Sequence, residues 1–213
     1  MKCPLCNTNT KSFFHPTKDM SFYKCPNCEL VIKHKKHFIH ADDEKKRYET
    51  HNNSINDLGY VNFLQSFIDY AISPFLSCGS IIDYGSGPVP VMQELLIQQG
   101  YEVDIYDPFF QPVLSNKIYD MLISTEVLEH IHDPLKSLQD IDRLVKPLGY
   151  IGFMTLFQPK EKDQFFNWFY IRDETHVMFY TPKTCEIIAH IMSWELIKHN
   201  DNRMVIFRKK MNK

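Results

Sequence analysis

The sequence predicts a doubly wound α/β sheet with a small ribbon, held by cysteines, ahead of it. Three observations predict it. From residue 80 onward, short apolar runs alternate with amphipathic helical stretches, the pattern of successive strand–helix–strand units. A glycine pair, Gly85 and Gly87, follows directly on the first of those runs. Four of the six cysteines lie in two Cys-x-x-Cys pairs near the N-terminus.

The cysteine pairs define the ribbon. Cys3-Pro4-Leu5-Cys6 and Cys25-Pro26-Asn27-Cys28 are separated by 18 residues. Each turn presents two thiolates on one side, and two turns complete a tetrahedral shell. A shell closed by four protein ligands predicts a structural zinc. A redox pair would open a helix after a strand, which neither pair does, and a disulfide is disfavoured in a reducing compartment. Cys78 and Cys185 stand alone and are expected in the core as small apolar residues. Residues 1–33 are thus read as the ribbon.

Residues 34–79 are read as a linker and N-terminal helices. His34, His37 and His40 belong to a solvated linker face, which passes into a charged helix containing Asp42, Asp43, Glu44, Lys45, Lys46 and Arg47. Tyr60, Phe63, Leu64, Phe67, Ile68 and Ala71 then share one helical face that ends near Pro74. The third unit is residues 80–213. Ile81-Ile82-Asp83-Tyr84 reads as a strand and residues 91–99 as a helix stopped by Gly100. Residues 101–107 and 119–125 are strands. Residues 134–146 form an amphipathic helix, with Asp133 as N-cap and Pro147 and Gly149 as stop signals. A strand at 150–156, a helix at 182–194 and a hairpin of 194–199 with 204–208 complete the unit.

Composition narrows the function. The chain has 213 residues, 44% hydrophobic and 23% charged, enough to bury a core without disulfides. Its net charge of −2 argues against a globally basic nucleic-acid binder. No apolar run approaches a membrane span, and the first residues do not read as a signal peptide, so a cytoplasmic protein is expected.

The glycine loop points to a nucleoside. Asp83-Tyr84-Gly85-Ser86-Gly87-Pro88 joins a strand to a helix, where bare backbone lets a ligand approach. The next strand ends in Asp107, placed to accept hydrogen bonds from a ribose diol. NAD and S-adenosylmethionine both carry such a ribose. The dinucleotide fingerprint needs a further glycine where this chain has Pro88, Val89 and Pro90. Asp83 would also repel a pyrophosphate but favour a sulfonium amino acid, so S-adenosylmethionine is the expected cofactor.

With these residues in view, the chain from about Ser80 onward resembles class I S-adenosylmethionine-dependent methyltransferases. The matching segments are IIDYGSGP, YEVDIYDP, YDMLISTEVLEHIHDP, LVKPLGYIGFMT and THVMFYTPKT. The ribbon is similar to zinc-binding ribbons of some bacterial methyltransferases, including sugar C-methyltransferases. The resemblance implies a Rossmann-like sheet with Asp83, Tyr84, Gly85, Ser86 and Gly87 against the cofactor and Asp107 on its ribose. It also implies that Pro108 and Phe109 flank the adenine, and that Ser124, Thr125 and Glu126 line the far side. The eleven residues 108–118 are too few for the helix and strand usual at that point. The sheet is therefore expected to lack one edge strand.

Glu126, Glu129 and His130 have the spacing of one helical face, and His176 follows the next strand. These four resemble the metal-binding set of small-RNA 2′-O-methyltransferases and of some quinone O-methyltransferases. Two chemistries follow: a divalent cation bound by Glu126, Glu129, His130 and His176, or a metal-free general base at His130 or His176 oriented by Glu126. The aromatic run Phe165-Phe166-Asn167-Trp168-Phe169-Tyr170 is either a substrate lid or core packing. Tyr48, His51, Asn52 and Tyr60 are candidates to close over the cofactor. The expected function is methylation of a small-molecule or RNA nucleophile. A non-catalytic zinc-ribbon adaptor on the same scaffold is the rival, and a nicotinamide oxidoreductase is a second one.

Overall fold

The computed structural model describes residues 1–50 and 53–211. Strands β1 (Lys11–Phe14), β2 (Ser21–Lys24) and β3 (Val31–Lys33) form the antiparallel ribbon. Its two cysteine turns are built alike. Asn7 and Glu29, each following the second cysteine of a pair, adopt left-handed φ of 59° and 61°. Their amides donate back to the Cys3 and Cys25 carbonyls, each at 3.0 Å.

Helices α1 (Ala41–Glu49) and α2 (Leu58–Phe67) follow, the latter running on through a π-helical turn at Ile68–Ile72. The main unit then alternates β4 (Ser80–Tyr84), α3 (Val91–Gln98), β5 (Glu102–Tyr106), β6 (Tyr119–Thr125), α4 (Pro134–Leu144) and β7 (Val145–Met154). It continues with α5 (Lys162–Asn167), β8 (Met178–Phe179), α6 (Pro182–Met192), β9 (Trp194–His199) and β10 (Met204–Lys209).

Six strands form the sheet in the order β5-β4-β6-β7-β10-β9. The first four run parallel, and β10 runs antiparallel to both β7 and β9. Chain order reverses between β4 and β6, the position where open α/β sheets hold their ligands beyond the carboxyl strand ends. Residues 108–118 add neither strand nor helix, so β5 is the sheet's edge, as the short segment predicted. One face of the sheet packs on α2 and α3 through Leu64, Phe67, Leu95 and Leu96. The other packs on α4 and α6 through Leu138, Ile141 and Ile188, and this cluster runs on into the ribbon through Leu5 and Leu30.

Local signals explain the boundaries. The Asp133 carboxylate accepts from the Lys136 amide and starts α4 at Pro134. Thr181 and Thr184 form a capping box for α6, which ends where Ser193 turns left-handed. The Pro147 and Gly149 stop signals fall inside β7. That strand starts directly at Val145, with a left-handed Leu148 absorbing the irregularity.

One expectation changes. Cys78 is exposed, because it lies in the turn between the π-helical segment and β4; Cys185 is buried as expected. The ribbon's sheet also takes in a strand of the main unit: β3 pairs with β8, so its order is β1-β2-β3-β8. The aromatic run is largely packing. Phe165, Phe166 and Tyr170 are buried against Phe22 of the ribbon, while Phe169 is exposed.

Candidate active site

A cavity of about 680 Å³ opens at the carboxyl ends of β4, β5 and β6, within the size range of small-ligand sites. Asp83, Tyr84, Gly85, Ser86, Gly87, Asp107, Pro108, Phe109, Thr125 and Glu126 all line it. Gly85 has φ 91°, and a Cβ on it would lie 2.4 Å from Val127 Cγ2. Gly87 has φ 69° with open space where a Cβ would go.

Asp107 organises the loop. Its Oδ2 accepts from the Gly87 amide at 3.0 Å, and its Oδ1 accepts from Phe109 and Phe110 amides at 2.8 and 3.1 Å. A carboxylate has about four acceptor positions, so one remains for a ligand hydroxyl. Asp83 is 2% exposed, and its Oδ1 has no hydrogen-bond partner. Burial, with the Asp107 charge beside it, pushes its carboxyl up to about 7. Ser86 Oγ and Glu126 Oε1 also lack partners. Unpaired buried acceptors beside a cavity fit a ligand that carries an ammonium and a sulfonium, as S-adenosylmethionine does.

Ser124 departs from expectation. It is fully buried and its hydroxyl donates to the Tyr84 carbonyl at 2.7 Å, tying β6 to β4 rather than lining the cavity. The expected helix at 126–130 is a 3-10 turn, Leu128–His130, preceded by Glu126 at a left-handed φ of 53°. One ligand atom from each of Glu129, His130 and His176 lies within 4.8 Å of the others; Glu126 is not in that cluster.

Instead, Tyr170 bridges the two carboxylates. Its hydroxyl is 2.5 Å from Glu129 Oε1 and 3.0 Å from Glu126 Oε2. The Thr155 hydroxyl donates to Glu129 Oε2 at 2.8 Å. Burial raises both acids, and for Glu126 the neighbouring Glu129 charge adds to it.

The imidazoles are fixed by backbone carbonyls. His130 Nδ1 lies 3.2 Å from the Thr175 oxygen, and His176 Nδ1 lies 2.8 Å from the Tyr170 oxygen. A carbonyl only accepts, so each Nδ1 carries the proton and each Nε2 is left with a lone pair. Burial, then the neighbouring His130, holds His176 down at about 3, so it is neutral at physiological pH; burial also lowers His130. His130 Nε2 is 3.9 Å from Glu129 Oε1.

Tyr48 and Tyr60 line the cavity as expected, whereas His51 and Asn52 lie outside the described residues. The sequence reading missed Tyr170 as the carboxylate bridge, and Glu44, which is buried and accepts from the Tyr48 hydroxyl at 2.6 Å. The signal for Tyr170 was present, since it closes the aromatic run. Glu44 was hidden in a charge run that reads as a solvated face.

At the ribbon, the four thiols also converge. Cys3 and Cys28 Sγ lie 3.6 Å apart, Cys6 and Cys25 Sγ 3.4 Å, and all four fall within 4.8 Å. A zinc tetrahedron with bonds of about 2.3 Å has sulfur–sulfur edges of roughly 3.8 Å, so the cluster fits that ion. The hydrogen bond with the Cys28 thiol holds the Cys3 thiol down at about 5.

Comparison with known proteins agrees with this geometry. Residues 56–198, two thirds of the chain, match the model of a family described as a methyltransferase domain. A ubiquinone biosynthesis O-methyltransferase from Pseudomonas putida is 32% identical over 78 residues, covering 35% of this chain and 33% of that protein. One of the same name from Pectobacterium atrosepticum is 30% identical over 77 residues, again 35% of this chain and 32% of that protein. The chain thus spans about a third of the length of these curated relatives.

Among solved structures, a phosphoethanolamine N-methyltransferase from Haemonchus contortus superposes with a TM-score of 0.56 at 14% identity, over 80% of this chain and 58% of that one. A SAM-dependent methyltransferase from Archaeoglobus fulgidus gives 0.52 at 17%, over 70% and 94%. At such identities these share the fold. The family match, the sheet order and the cavity at its switch point lead to one conclusion: this chain belongs to the methyltransferase-domain family.

Proposed function

We propose that the protein transfers a methyl group from S-adenosylmethionine to a hydroxyl of a small, planar acceptor. The observation that carries the cofactor is Asp83, a buried acid with an unpartnered oxygen on the glycine-loop wall. The cofactor supplies an electrophilic methyl on a sulfonium, which moves by in-line displacement. The chain's own contribution is to hold acceptor and cofactor in line and to take the acceptor's proton. His130 is the base: its free Nε2 faces Glu129, whose charge stabilises the imidazolium that forms.

A cavity of this size with Tyr48, Tyr60, Phe63 and Phe109 on its walls suits a small aromatic acceptor better than an RNA strand. The partial likeness to ubiquinone O-methyltransferases supports the same class. The test is methyl transfer from labelled cofactor to a panel of catechols and phenols, beside an RNA pool. Transfer to RNA alone contradicts the acceptor assignment.

A second reading has its own observation. The Glu129, His130 and His176 cluster, with both Nε2 lone pairs free, can hold a divalent cation that acidifies the acceptor hydroxyl. Magnesium-dependent turnover abolished by chelation favours it over the base. The four ribbon cysteines hold a structural zinc in this proposal, and the compartment is the cytoplasm. Among the described residues, no helix is long and apolar enough to cross a membrane.

A further inference from the structure

Lys33 is a buried cation for which the reaction outlined above has no use. It is 2% exposed, sits at the end of ribbon strand β3, and does not line the cavity. Its Nζ donates to the backbone carbonyl of Asp173 at 2.7 Å. Its amide donates to the Val177 carbonyl at 2.8 Å, extending the β3–β8 pairing by one rung. Lys33 therefore grips both ends of the segment 173–177.

That segment carries the site's geometry. Thr175 supplies the carbonyl that fixes His130, and His176 is itself one of the two imidazoles. The Val177 amide donates to the Glu129 carbonyl at 2.8 Å. The segment leads from a 3-10 turn into β8, a strand of two residues whose only sheet partner among the described residues is β3. Two residues of strand cannot hold such a loop without a neighbour. The other holds on Asp173 are its bonds with Thr175 and with the His176 amide, which donates to the Asp173 carbonyl at 3.3 Å, all of them local, and Arg47 at 3.3 Å on the surface.

The same ribbon is locked to the main unit at the cysteine turn. Thr184 Oγ1 donates to the Cys28 carbonyl at 2.8 Å, and Gln158 Nε2 donates to the Glu29 carbonyl at 2.9 Å. The ribbon is thereby a rigid anchor, and Lys33 is the part of it that reaches the histidine loop.

We propose that Lys33 is a positioning residue: through the Asp173 carbonyl and the β3–β8 pairing it holds the 173–177 loop, and so sets the orientation of His130 and His176. The inference rests on the methyl-transfer reading only for its kinetic consequence. The geometric claim is tested without turnover.

The experiment uses the full chain with Lys33→Met, Lys33→Arg and the wild type, each checked for zinc content. Long-range nitrogen–proton NMR on 15N-histidine protein reads which ring nitrogen of His130 and His176 carries the proton. The wild type should show Nδ1–H at both. Lys33→Met should show mixed tautomers and faster amide exchange at Val177, while Lys33→Arg, which keeps a donor for the same carbonyl, should retain the wild-type pattern. Wild-type tautomers in Lys33→Met overturn the proposal, as does their loss in a zinc-loaded Lys33→Arg. Lys33→Gln takes the place of Lys33→Met if that variant does not fold. In turnover, Lys33→Met should lower kcat by about tenfold to a hundredfold with cofactor KM unchanged. A kcat loss without a tautomer change would assign Lys33 a merely structural role.

Discussion

The Tyr170 hydroxyl lies 2.5 Å from Glu129 Oε1, at a carboxylate that solvent does not reach. The same hydroxyl touches Glu126, so one donor serves two acids. Removing it leaves their repulsion unrelieved.

Tyr170→Phe should therefore destabilise the fold by about 1.5–3 kcal/mol, the worth of a hydrogen bond to a charged group. Thermal denaturation at neutral pH reads it. The loss should shrink at acid pH, where Glu129 is protonated and can bond to its neighbours without the phenol. A pH-independent loss would mean that the worth of the hydroxyl does not depend on the charge of Glu129.

Asp83 sets a trade between stability and binding. Its folded carboxyl is raised to about 7, above its ordinary value of 3.8, so the folded state holds a proton that the unfolded state has released. Its contribution to stability is therefore present at low pH and lost as pH rises from about 4 through about 7. Asp83→Asn should remove that loss, making the cofactor-free protein more stable at pH 8 by on the order of 2–4 kcal/mol. The same variant should bind S-adenosylmethionine at least about tenfold more weakly, the cost of one charge partner. Melting curves at pH 5 and pH 8, with and without cofactor, check both halves.

Gly85→Ala should fail structurally. The new methyl would meet Val127 at 2.4 Å on a backbone of φ 91°. Overpacking and left-handed strain together cost about 2–4 kcal/mol. Val127→Ala added to it should recover the steric part alone. Full recovery in the double variant would show that φ carries no strain there.

How far was this legible in the residues? The sheet was legible because its strands are short apolar runs and its helices carry cap signals such as Asp133 and Thr181. That Gly85, Gly87, Asp83 and Asp107 share one cavity wall was legible because they lie within one βαβ unit, where local spacing determines placement. What was not legible depends on distant pairing. Tyr170 meets Glu126 and Glu129 across more than forty residues, and β3 meets β8 across nearly 150. The resemblance put Ser124 on the pocket's far side, but the Tyr84 carbonyl on β4 claims its hydroxyl. The helical spacing of Glu126 and Glu129 misled because Glu126 turns left-handed at the strand end.

The zinc assignment has a simple check. Elemental analysis of purified protein should give one zinc per chain, and Cys25→Ser should lose it along with much of the ribbon's stability. An unaltered zinc content in Cys25→Ser would move the metal elsewhere.

The central claim is a cofactor bound at the Asp83 and Asp107 wall. Calorimetric titration of the full chain with S-adenosylmethionine tests it most directly. Saturable one-to-one binding is predicted, abolished by Asp107→Ala and retained in His130→Ala. No heat and no thermal shift at millimolar cofactor would contradict the account and leave the scaffold as a non-catalytic adaptor.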